Sequence, residues 1–363
     1  MHRMKKNVFI CHRPYHILRC CDMISREKND AVNVLIVFDV KKAGINEFQR
    51  FETNKIFYSS FDEVIEIERI KISSLRNIFG FLRCCKDRMK RFMPIVNKHS
   101  DLDSLFFFCD NELEIQLLVG LYIKNAKPSL ESILIDEGMV TYSRNTYTAT
   151  KWVIWYSKLL TCLLGIKKFN TAWAYGASSY YNKSLANEPS RANFREPIEQ
   201  LPPLSDDICR LFRSKLVSSV VIPENKSYFI YVSQPIKMME EKELSLIKKL
   251  MTIAIKNDIA FFIKLHPMQD ENPYKEKFGN SIIIEKSYPI ELFYSSRVIV
   301  GGAVSSSLYN ASLQGYKALD LAPLFDLPEL GISQSFSWTS IRRVSDFNMF
   351  EDVIKTLTKI EKQ

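Results

Sequence analysis

Short, wholly apolar runs of β type alternate with helical segments along most of this 363-residue chain. In the first half the runs are NVFIC (7–11), NVLIVF (33–38), KIFY (55–58), SLFFFC (104–109), SILI (132–135) and TAWAY (171–175). Helical patterns intervene, as at Tyr15 to Ser25 and Glu112 to Lys124. A strand that is apolar on both faces has no face to give to water. Such strands lie in parallel sheets covered by helices on either side.

A second set of strands follows: SYFIYVS (227–233), AFFIK (260–264), SIII (281–284), RVIV (297–300) and KALDLA (317–322). The segment EEKELSLIKKLMTIAIKN lies between the first two and has apolar residues at helical spacing. The length exceeds what one ordinary core organises. The expected division is an α/β domain over residues 1–185, a linker over 186–224 and a second α/β domain over 225–340. The linker begins with a polar stretch, 186–207, holding four prolines. A closing helix, 341–363, is expected to pack back on the first domain. No internal repeat or low-complexity tract interrupts the pattern.

Charge and cysteine usage narrow the function classes. The net charge is +9. There is no zinc finger, RNP motif or strongly basic helix, so nucleic acid is not an expected partner. An anionic membrane surface or an anionic nucleotide-bearing substrate suits the charge. The cluster RCCKDRMKR (83–91) reads as a solvated helix face or a lipid-headgroup patch. None of the eight cysteines forms CxxC, which argues against zinc and disulfides and for reduced thiols in the cytoplasm. The amino-terminal apolar run has five residues, too few for a signal peptide. The most apolar segment, WVIWYSKLLTCLLGI (152–166), is too short to span a bilayer. It would suit a buried helix or one lying on the inner face of a membrane.

Four motifs could carry chemistry. In ILIDEGMVTY a strand ends in Asp136, Glu137 and Gly138. Adjacent carboxylates at a strand end raise each other's pKa, which suits a general base, although a solvated turn uses the same letters. In FFIKLHPMQD a strand ends at Lys264, and His266 and Pro267 follow where open α/β sheets bind ligands. The imidazole could donate to a phosphate or a leaving group, or serve the core. In RVIVGGAVSSSLYNASLQG a strand runs through Gly301 and Gly302 toward Ser305, Ser306 and Ser307 at a helix start. Free amides and hydroxyls there make an anion site, though a serine can also simply cap the helix. In KSYPIELFYSS, Pro289 and Glu291 open a helix, and Glu291 is placed to accept from ribose hydroxyls or to favour the helix dipole. His12 and His16, in CHRPYH, occupy the loop after the first strand. The Asp101-Leu102-Asp103 triplet precedes a strand instead of ending one, so no metal is expected. There is no Walker A or GxGxxG motif.

Acid-acid-glycine in the first half, then His-Pro, then a serine pair resembles the motif order of bacterial GT-B sialyltransferases. The nearest likeness is to glycosyltransferase family 52, the lipooligosaccharide and capsule sialyltransferases, with the bacterial polysialyltransferases related. PIELFYSS, HRPYHI and the strand-Gln-Pro segment YVSQPIKMMEEKELSLI also fit. The resemblance implies two doubly wound Rossmann-like domains facing across a cleft. It implies an inverting, metal-independent enzyme, with no cofactor, moving sialic acid from CMP-sialic acid to a glycan hydroxyl such as that of galactose. Glu137 or Asp136 would take the acceptor proton, and His266 would assist the leaving CMP. Ser305, Ser306, Ser307, Gly302, Glu291, Pro267, Lys264, Gln234 and Pro235 would hold the donor. His12, Tyr15, His16 and Asn111 would contact acceptor or donor. Ile236 and Lys237 stand where some relatives carry an acid. A transferase using CMP-Kdo or a UDP-sugar and a non-catalytic scaffold are the alternatives. The sequence fixes no oligomeric state.

Overall fold

The computed structural model describes residues 4–27, 30–39, 55–68, 78–108, 113–125, 127, 129–135, 171–174, 198–216, 220–223, 225–234, 240–266, 269–303, 305–326 and 340–360. The chain divides into two compact units, Met1–Pro202 and Pro203–Gln363.

The first unit holds a seven-stranded sheet. Its strands are β1 (Lys5–Cys11), β2 (Ala31–Asp39), β3 (Glu63–Glu68), β4 (Ser104–Phe107), β5 (Glu131–Ile135), β6 (Thr171–Ala174) and β7 (Ile198–Gln200). They run parallel in the order β3-β2-β1-β4-β5-β6-β7. Side chains alternate across a strand, so Val8, Ile10, Val34, Ile36, Phe38, Leu105 and Phe107 share one face. They pack with Phe92 and Val96 of α2 (Ile78–Lys98) and with Ile115, Leu118 and Tyr122 of α3 (Leu113–Asn125). On the other face the rings of Phe9 and Phe106 stack at 4.7 Å. Both faces are thus sealed, at roughly 1.5–3 kcal/mol per large side chain buried.

The second unit repeats the plan. Its strands are β8 (Tyr228–Val232), β9 (Ala260–Lys264), β10 (Ile283–Ile284), β11 (Val298–Gly302), β12 (Lys317–Asp320) and β13 (Arg342–Arg343). They are parallel in the order β10-β9-β8-β11-β12-β13. Phe229, Tyr231, Phe261, Ile263, Ile299 and Leu319 face Leu244, Ile247 and Leu250 of α5 (Glu240–Lys256).

Two expectations change. KIFY is not a strand: Phe57 is buried as an anchor, and residues 58–60 form a single 3-10 turn. The strand is β3, whose acids mark it as a sheet edge. Part of the stretch read as a linker is structured, with β7 on the first sheet and α4 (Asp206–Arg213) in the second unit. Asp206 and Asp207 favour the amino end of α4, and Cys209 and Phe212 are buried from it. The closing helix, α8 (Phe347–Ile360), packs on the core of the second unit. Its apolar stripe of Phe350, Val353 and Ile354 completes the core around Phe229, whose ring meets that of Phe350 edge-on at 5.4 Å.

Candidate functional site

In the second sheet the strand order reverses direction between β8 and β11. Crossovers leave these neighbours on opposite sides, which opens a crevice beyond their carboxyl ends. Val232 of β8 runs into Ser233 and Gln234, and Lys264 of β9 into Leu265 and His266. Gly302 ends β11 beside Val232. A Cβ on Gly302 would stand 2.8 Å from the Val232 carbonyl oxygen, and one on Gly301 would overlap the Phe229 ring. The two glycines let β11 approach β8 where the crevice begins.

Ser305 is the N-cap of α7 (Ser306–Leu313). Its Oγ accepts the Ser307 N–H at 3.2 Å, and its carbonyl accepts that of Leu308 at 3.1 Å. Capping therefore accounts for Ser305, which is buried. The Ser306 N–H and the half-buried Ser307 hydroxyl also lie at this helix start.

Lys264 has a different task from the expected donor contact. Its ammonium is buried and donates to the carbonyls of Leu265 (3.1 Å) and Lys286 (3.0 Å). Burial pulls its pKa down to about 7, while Glu291, Glu285 and Glu271 pull the other way. Glu291 is itself buried, in the 3-10 turn Ile290–Phe293. The two carbonyl bonds of Lys264 tie the end of β9 to the turn at Lys286.

His266 is half-buried, and its backbone N–H donates to Gln269 Oε1 at 2.9 Å. Gln269 and Glu243 escaped the sequence reading, yet they sit beneath the ends of both β8 and β9. The available signals were a glutamine three residues after the histidine and a glutamate on the apolar face of α5.

In the first unit the corresponding reversal lies between β1 and β4. His12 follows β1, and His16 lies in the first turn of α1 (Pro14–Arg26). The His16 ring stacks on Phe108 at 4.2 Å and meets His12 edge-on at 4.3 Å. His16 is closed off from solvent. His12 and Tyr15 are also buried but lie nearer the surface. Asp101 and Asp103 pair with Lys6 and Lys127 at the amino end of β4. Asn111, Asp136, Glu137, Gly138, Pro235 and Pro267 lie outside the described residues, as does the segment 152–166.

A cavity of about 470 Å³ opens elsewhere, lined by Asp206, Ser296, Gln314, Tyr316 and Lys317. These residues flank the amino ends of β11 and β12, away from the crevice. The placement of glycines, hydroxyls and imidazole favours the strand carboxyl ends as the site.

Two parallel sheets, each with its polar groups gathered where the strand order reverses, define a GT-B protein, the fold of many nucleotide-sugar glycosyltransferases and epimerases. The chain belongs to the alpha-2,8-polysialyltransferase (POLYST) family, whose model matches residues 7–318. None of the curated proteins compared with the chain matches it. Among solved structures it is similar to a UDP-GlcNAc 2-epimerase from Neisseria meningitidis bound to UDP-GlcNAc. That match has 14% identity and a TM-score of 0.51, covering 98% of either chain. A UDP-N-acetylglucosamine 2-epimerase structure matches with 10% identity and a TM-score of 0.53, covering 98% of this chain and 87% of that one. MnaA of S. aureus with UDP matches at 9% and 0.51, over 97% and 91%. At these identities the likeness is one of fold. Among the described residues no helix is long and apolar enough to cross a membrane.

Proposed function

We propose that the chain transfers sialic acid from CMP-sialic acid to a sugar hydroxyl of a surface glycan, inverting the anomeric centre without a metal. The observation that carries this reading is the polysialyltransferase family match over residues 7–318. The family's description favours a sialic acid acceptor and repeated addition, so galactose becomes the second acceptor to try. Kinship to family 52 enters only as related chemistry.

In this reading the leaving phosphate is the group that gains charge. Donors fixed before the reaction stabilise it without reorganising, which is the largest source of rate in such sites. His266 donates to that phosphate, and the amide and hydroxyls at the start of α7 bind it. Gln234 and Pro235 line the nucleotide site, and Glu291 accepts from ribose. Glu137, or Asp136, takes the proton of the attacking hydroxyl. Lys264 acts from below by holding the loop that carries His266. The net charge of +9 supports association with an anionic inner membrane face, where a growing glycan would be met.

The test is incubation with CMP-sialic acid and a panel of sialylated and galactose-ended oligosaccharides, read by mass spectrometry with and without EDTA. Added sialic acid units, insensitive to EDTA, are expected. Thermal stabilisation by UDP and not by CMP would sink the donor assignment and favour a UDP-sugar enzyme.

A further inference from the structure

One side chain links the loops that follow β8 and β9. Gln269 Oε1 accepts the N–H of His266 at 2.9 Å and the hydroxyl of Ser233. Its Nε2 group lies 3.2 Å from the Gln234 carbonyl, 2.8 Å from the Tyr274 hydroxyl oxygen and 3.2 Å from Glu243 Oε2. Two N–H bonds are shared among these three acceptors. The Gln269 N–H returns to the His266 carbonyl at 2.9 Å.

Beneath it, Glu243 rises from the first turn of α5. Its Oε1 accepts the Tyr231 hydroxyl at 2.9 Å and the Gln234 N–H at 3.4 Å, and its Oε2 accepts the Tyr274 hydroxyl. Glu243 is buried, and burial raises its pKa, although each of these bonds favours the carboxylate. A buried network satisfied to this degree is rigid, and losing one member leaves others unpaired.

We infer that Gln269, seated on Glu243, is a positioning residue that holds His266 and the Ser233–Gln234 loop at one fixed separation. The inference rests on the transferase reading for its functional consequence but on geometry for the coupling itself. Neither residue touches the donor in this scheme. Gln269 instead sets where the imidazole stands relative to the nucleotide loop. A displacement of about 1 Å in such a group can cost on the order of 100-fold in rate.

The experiment compares wild type, Gln269→Leu and Gln269→Asn by amide hydrogen exchange and by steady-state transfer from CMP-sialic acid to a sialylated acceptor. Leucine keeps the bulk and removes the polar contacts, while asparagine keeps the amide but is too short to reach both loops. Both variants are expected to speed exchange at His266 and Gln234 together, leaving the body of α5 protected. Both should lower kcat by about 100-fold per folded molecule with little change in KM for the donor. Exchange that rises at one loop only, or at neither, would overturn the clamp. Exchange that rises at both with kcat unchanged would overturn the positioning role. If the wild type shows no transfer, the donor reading has failed, and coupled exchange still decides whether the clamp exists.

Discussion

The ammonium of Lys264 donates to the carbonyl of Lys286 at 3.0 Å, tying the end of β9 to the turn that leads into the Glu291 segment. The strand-end lysine read as a donor contact is thereby a brace for the loop bearing His266. A buried cation that serves two carbonyls keeps its bonds when it loses its proton, because a neutral amine still has two N–H groups.

The first prediction concerns pH. Burial pulls the folded pKa of Lys264 from the ordinary 10.5 to about 7. Between those values the unfolded chain binds more protons, so stability contributed by this group rises with pH. Below pH 7 both states are charged, and the full burial cost is present. Lys264→Met removes this dependence, so the stability of wild type relative to the variant should climb from pH 7 toward 10. Urea titrations at several pH values read it, and a constant difference would show that the lysine is solvated.

The second prediction separates the serines. Ser305→Ala deletes the cap accepting the Ser307 N–H and should cost about 1 kcal/mol of stability. It also removes a buried hydroxyl proton, so CMP binding should weaken. Ser307→Ala keeps the backbone N–H that the cap accepts and should weaken CMP binding with little change in Tm. Calorimetric titration with CMP beside thermal melts distinguishes them. Equal CMP affinity in both variants and wild type would remove α7 from the phosphate site.

The central strands were legible because burial on both faces writes a run of apolar residues that no polar neighbour interrupts, as in VFIC of β1 and FIYV of β8. Three edge strands lack that signature, whereas β10, Ile283–Ile284, keeps it. β3 carries Glu63, Glu66 and Glu68, β7 is Ile198–Gln200, and β13 is Arg342–Arg343. Each needs a partner on one side only, and charge there blocks unwanted pairing, so periodicity points elsewhere. Strand-end placement foretold the positions of His266 and Ser305 but not their local bonds. Ser305 turns inward as a cap, and Lys264 turns back to carbonyls. Gln269 and Glu243 stand 26 residues apart in sequence, and only the fold of β8, β9 and α5 joins them.

The third prediction addresses the proposed acid–base pair. His266→Ala and Glu137→Gln should each reduce transfer by about 100-fold or more, in line with general acid–base contributions. Far-ultraviolet circular dichroism should remain that of wild type. Asp136→Asn, made in parallel, identifies which neighbour takes the proton, since only the base should show the larger loss. Full transfer in both His266→Ala and Glu137→Gln would reject the roles assigned to them.

The last prediction turns on Gly302, where the need for glycine is steric. A Cβ there would meet the Val232 carbonyl oxygen at 2.8 Å, a backbone atom that cannot rotate away. Gly302→Ala must therefore push β11 from β8 at the point where the crevice opens, at about 1–3 kcal/mol for such overpacking. Gly315 differs in kind: its φ is +82°, yet nothing lies within 4 Å of the Cβ it would carry. Gly315→Ala then costs about 1 kcal/mol of backbone strain and moves no strand. Both variants should melt earlier than wild type. Only Gly302→Ala should also lose CMP affinity, because the ends of β8 and β11 carry Gln234 and the approach to Ser305. Titration of CMP into the two variants at a temperature where both are folded reads the difference. Equal affinity in the two would detach the nucleotide from the β8–β11 reversal point.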